Sequence, residues 1–101
     1  AFAALQADGS VRTWGSPELG GDDSSVRDQL QDVQKVVGTA GAFAAIRADG
    51  RVITWGDAES GGDSDGVQDQ LCEVQEVCAT SAAFAALKAD GSVICWGNPE
   101  A

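Results

Sequence analysis

Histidine is absent from this 101-residue chain. Without it there is no imidazole to act as general base beside a serine or cysteine nucleophile, and a zinc site loses its usual nitrogen ligand. Neither a nucleophile elbow nor a phosphate-binding loop is written anywhere in the sequence. Cationic side chains are scarce, with 6 Lys and Arg against 16 Asp and Glu, for a net charge of −10. Binding to nucleic acid or to an anionic membrane surface needs clustered Lys and Arg, so both are disfavoured. The acidity reads first as solubility and self-repulsion, and second as attraction for a basic partner or a divalent cation. No apolar run approaches the roughly 18 residues of a membrane-spanning helix. The opening segment AFAALQADG lacks the basic stretch of a secretory signal and reads as the interior of a repeat. Large apolar residues are also few, three Phe and three Trp among them, so a core built from this chain is thin.

What the chain does contain is one phrase written three times. AFAALQADGSVRTWG opens it, AFAAIRADGRVITWG follows at 42–56, and AFAALKADGSVICWG occupies 83–97. Phe2, Phe43 and Phe84 are 41 residues apart, as are Asp8, Asp49 and Asp90, and Trp14, Trp55 and Trp96. Residues 2–42 and 43–83 agree at 23 of 41 positions without a gap. The chain is therefore a tandem array and a single repeat domain over 1–101, with units 2–42 and 43–83 and a partial third at 84–101. It reads as a piece cut from a longer array.

Each unit begins as a hairpin. Two short runs flank Asp8–Gly9, Asp49–Gly50 or Asp90–Gly91, where glycine accepts a positive φ without steric cost. The second run is rich in strand formers and ends in Trp14–Gly15, Trp55–Gly56 or Trp96–Gly97. Alternation places Val11 and Thr13 on one face and Arg12 and Trp14 on the other. The first run, rich in alanine, is a poor strand by propensity, and suits a place where a neighbour approaches closely. A Gly-Asp loop follows, Gly20–Gly21–Asp22 and then Gly61–Gly62–Asp63. SVRDQLQ and GVQDQLC predict one or two helical turns, with Ser24 or Ser25 as a cap in the first unit. VQKVVGT and VQEVCAT then alternate as strands.

The pattern D-G-x-V-x-x-W-G followed by a Gly-rich loop resembles the repeat of the regulator-of-chromosome-condensation family. The likeness rests on Asp49, Gly50, Val52, Trp55, Gly56, Gly61 and Gly62 with their counterparts, and it covers essentially the whole chain. The family's unit is longer, and its corner commonly carries a histidine where this chain has Phe. The wording is also similar to long tandem arrays of single-celled algae, notably dinoflagellates. The resemblance implies an all-β fold of propeller-like blades with short helical turns in the connectors. Two and a half units leave a propeller ring incomplete. The chain is then part of something longer, or copies assemble to close a ring, or the three units close as a β-trefoil.

The candidate sites read as follows. The tryptophans are packing residues within or between units, and the Arg and aromatic neighbours of the family's light-sensing branch are missing around them. Asp63 and Asp65 sit in a Gly-Asp-Ser-Asp-Gly stretch that resembles a fragment of a calcium loop. The first unit does not repeat it, and a solvated turn explains it as well. Cys72, Cys78 and Cys95 stand where the first unit has Gln31, Val37 and Thr13, are odd in number and form no C-x-x-C. They read as free thiols. Carboxylates recur with the repeat and do not converge, so no catalytic residue and no cofactor is expected. The expected role is a non-enzymatic repeat module that binds a protein partner. A second expectation is a small structural subunit of a large assembly, such as an algal photosynthetic membrane complex, which would place it in a plastid. The family name adds, more weakly, nucleotide exchange on a small GTPase or association with a ubiquitin ligase.

Overall fold

The computed structural model describes residues 1–16, 24 and 26–97. The described residues form strands β1 (Phe2–Leu5), β2 (Val11–Trp14), β3 (Val33–Gly38), β4 (Ala42–Arg47), β5 (Val52–Gly56), β6 (Val74–Ala79), β7 (Ala83–Lys88) and β8 (Val93–Gly97). They make three antiparallel sheets in the orders β1-β2, β3-β4-β5 and β6-β7-β8. The connectors carry 3-10 helical turns at Arg27–Gln29, Ala58–Ser60 and Asp65–Gln70. The chain is thus mostly β, and its second unit runs in the expected order of strand, hairpin, strand, Gly-Asp loop, short helix and strand. The turn at Ala58–Ser60 was not foreseen.

The Asp-Gly hairpins are one residue longer than a two-residue reversal. Arg47 N donates to Arg51 O at 2.9 Å and Gly50 N donates to Arg47 O at 3.0 Å, which closes a three-residue loop. Gly50 alone takes a positive φ there, 83°. Asp49 Oδ1 accepts from Arg51 N at 3.0 Å and holds the loop from inside. Asp8 and Asp90 do the same for Ser10 N and Ser92 N. One glycine in the left-handed region is what this longer hairpin requires.

The alanine-rich runs are the central strands wherever a sheet has three strands. Ala42, Ala44 and Ala45 on β4 have no exposed surface, because the middle sheet is covered on both faces. Ala42, Ala44 and Val52 face the third sheet, where they meet Phe84, Ala86 and Trp96. Ala45, Ile53 and Trp55 face the first sheet, where they meet Val11, and Leu30 of the connector and Val33 of β3 complete that cluster. Small residues on the doubly covered strand leave room for the bulky ones that fill each layer. Tertiary packing thereby overrides the weak strand propensity of alanine.

Backbone hydrogen bonds stitch each sheet to the next. Val33 N donates to Gly9 O at 2.9 Å, and Val74 N donates to Gly50 O at 3.0 Å. Within the middle and third sheets, Ala48 N donates to Asp32 O at 2.7 Å and Ala89 N to Glu73 O at 2.9 Å, extending the β3–β4 and β6–β7 pairings. Asp32 and Glu73, just before the donors Val33 and Val74, lie in the left-handed region with φ of 55° and 56° and pass close to Gly9 and Gly50 of the preceding turns. Nothing in their side chains announces that conformation; they take it because the turn of the preceding sheet must be reached.

The serine cap expected in the first unit falls partly outside the described residues. The first helical turn begins after Val26 with no side-chain cap, and Ser25 lies outside the described residues. Ser64 precedes the corresponding turn at Asp65–Gln70 but does not cap it. Its hydroxyl bonds Thr54 Oγ1 at 2.8 Å and accepts from Gln68 Nε2 at 2.6 Å. A buried hydroxyl with two side-chain partners has no need of the helix end.

Candidate functional site: the end faces of the stack

In every unit the Phe of the first strand lies directly across from the Trp of the second, and the two rings stack. Centroid separations are 5.7 Å for Phe2–Trp14, 5.6 Å for Phe43–Trp55 and 5.4 Å for Phe84–Trp96. The register that pairs Phe2 with Trp14, Phe43 with Trp55 and Phe84 with Trp96 follows from hairpins of equal length.

Their surroundings differ. Trp55 and Trp96 are buried at 2% and 8% exposure, as packing residues should be. Trp96 Nε1 also donates to Gly61 O at 3.0 Å, across the joint between the second and third sheets. Gly61 has φ 100°, and a Cβ there would lie 2.5 Å from the Phe84 ring. The Gly-Asp loop of one unit is therefore shaped to the aromatic pair of the next. The loop at Gly20, Gly21 and Asp22 lies outside the described residues. Phe2 and Trp14 are 65% and 52% exposed. They occupy the outer face of the first sheet, where no further sheet lies among the described residues. Arg12 shares that face by alternation.

The opposite end is also apolar. Leu87 and Val93 are 42% and 56% exposed, although their counterparts Ile46 and Val52 are buried. Cys78 and Cys95 are exposed at the same end and unbonded, as Cys72 is at a half-buried site. Cys78 pairs with Ala85, which pairs with Cys95 on its other side. Two strand spacings of roughly 4.8 Å each separate the two cysteines, beyond the reach of a disulfide.

Asp63 and Asp65 form a turn of their own, in which Asp63 Oδ1 accepts from Asp65 N at 3.0 Å. Among the described residues no three Cys, Asp or Glu side chains gather where they could hold a metal ion. A cleft of about 210 Å³ opens between the helical turns, lined by Val26, Gln29, Thr54, Ser64 and Gln68 among others. Thr54, Ser64 and Gln68 turn their polar groups to the scaffold. Gln68 Nε2 donates to Val52 O at 3.1 Å on the edge strand β5, and Thr54 Oγ1 reaches Gly62 O at 3.2 Å.

Lys35 and Glu76, from β3 and β6, form an ion pair. The Lys35 hydrogen bond holds the Glu76 carboxyl below the usual carboxylate range. The two residues occupy one repeat position, 41 apart. Opposite charges at that spacing were the signal available in the sequence. The hydrogen bonds from Ser10 and Ser92 likewise lower Asp8 and Asp90. Among the described residues no helix is long and apolar enough to cross a membrane. Comparison with known proteins found no matching family model and no matching curated protein.

Proposed function

We propose that the chain is a non-enzymatic repeat module that binds protein through the end faces of its stack. The observation that carries this reading is the Phe2–Trp14 pair. It is the same pair that is packed away in the third unit, yet 65% and 52% of its surface stands open. Each aromatic of this size buries roughly 150–250 Å² when covered, so the pair is a ready anchor for a partner.

Separate sheets stacked face to face support propeller-like blades over a trefoil-like closure, and agree with the resemblance to regulator-of-chromosome-condensation repeats. A second reading, the structural subunit held between two neighbours, is favoured by one observation: the stack is apolar at both ends.

The test places a photo-crosslinking amino acid at Arg12, beside Trp14, and a second at Arg51, on the turn of the middle sheet. Each protein is irradiated in an extract of the cells that make it. Discrete protein adducts from position 12, identified by mass spectrometry and absent from position 51, are expected. Equal or no adducts from the two positions would overturn the reading.

A further inference from the structure

We propose that the first-sheet end face of one copy of this chain receives the third-sheet end face of another, head to tail. The proposal rests on the reading of the chain as an interaction module and names the partner as a second copy.

What covers each face is visible inside the molecule. At the joint between the second and third sheets, Phe84, Ala86 and Trp96 press on Ala42, Ala44 and Val52. At the joint before it, Ala45 and Trp55 pack with Val11, and Phe43 and Ala3 lie against them. The first half of the joint recurs at the start of the chain as Phe2, Ala4 and Trp14. The second half recurs at the far end as Ala83, Ala85 and Val93. Phe2, Trp14 and Val93 are more than half exposed, and Ala4 is exposed as well. Among the described residues, both halves of a joint that the molecule makes internally therefore stand open.

The two halves keep the chemistry of the internal joint, aromatic and alanine on one side, alanine and β-branched on the other. Three differences weaken the joint between copies. Arg12 stands where Ile94 packs in the third unit. Trp14 has no carbonyl acceptor among the described residues, unlike Trp96 with Gly61 O. Each copy carries a net charge of −10. Like net charges repel and salt screens them, so association strengthens as salt is added. Because the joint uses a different face on each copy, it propagates unless it closes on itself.

The test is sedimentation velocity with light scattering on the purified chain, from micromolar to millimolar concentration and at two salt concentrations. The average mass should rise above 10.3 kDa with concentration, and rise further at higher salt. Phe2→Asp and Val93→Asp each spoil one face at a position more than half exposed, and circular dichroism checks that each variant keeps its strands. Each variant alone should stay monomeric. An equimolar mixture of the two should form a 1:1 dimer and nothing larger, because one variant keeps the first face and the other keeps the second. A wild-type chain that stays monomeric throughout, a single variant that still assembles, or a mixture that stays monomeric would overturn the proposal. If the purified chain is monomeric while position 12 captures a different protein in extract, self-association falls and the interaction module stands.

Discussion

Gly61 and Gly91 both take a positive φ, 100° and 88°, but their surroundings are opposite. A Cβ on Gly61 would strike the Phe84 ring, whereas a Cβ on Gly91 would meet nothing within 4 Å. Gly91→Ala should therefore cost only the left-handed backbone, about 1–2 kcal/mol. Gly61→Ala should add an overpacking cost of about 1–3 kcal/mol. Urea unfolding of the two variants measures the difference, and equal losses would contradict the packing of Phe84 on Gly61. Asp8 and Asp90 offer a second test at this scale. Their carboxyls are held low by Ser10 and Ser92. A lowered carboxyl stabilises the fold above the ordinary range of about 4 and loses that effect as pH falls through its folded value. The double variant Ser10→Ala/Ser92→Ala should be less stable than the parent at neutral pH. The gap should close on acidification below that range. A gap that persists in strong acid would place the serines' effect elsewhere. The Asp-Gly turn was legible from two letters. Its three-residue length was not, because the loop is set by which backbone groups pair.

At the scale of the element, the alanine strands show how little local propensity decides here. FAAL, AFAAIR and AFAALK are poor strands in isolation, yet each is hydrogen-bonded within a sheet. Ala86 on β7 has no exposed surface, while Ala4 at the same repeat position on β1 is exposed. Ala86→Leu should overfill the layer against the second sheet and cost about 1–3 kcal/mol. Ala4→Leu should cost almost nothing in the dilute chain. Equal effects in a thermal or urea melt would mean that the third sheet is not packed as described. The Val-rich connector strands were legible from alternation alone. In the second unit Ser64 precedes a helical turn without capping it, because a nearby threonine engages its hydroxyl. The Lys35–Glu76 pair shows the same limit, since it joins β3 to β6 across an inter-sheet joint that no single unit contains.

At the scale of the whole molecule, the joints between sheets carry the core. Among the described residues, the middle sheet is covered twice and the outer two are covered once. That asymmetry turns three near-identical aromatic pairs into two packing pairs and one exposed pair. It also makes the expected self-association directional, with the salt dependence and the complementing variants as its signatures. The thinness expected from composition is visible here, because much of each layer is alanine closed by one Phe–Trp pair. Small domains have little stability to spare, so covering either end face should also raise the unfolding midpoint.

From the amino acids alone came the period of 41, the hairpins, the strand order within a unit and the absence of histidine chemistry. These are local or additive properties, written in composition and spacing. Tertiary structure decided which copy of each repeated residue is buried, which partners engage Ser64, and where the apolar surface remains among the described residues. Identical side chains acquire different roles only when sheets stack, because burial depends on what lies on the other side of the face.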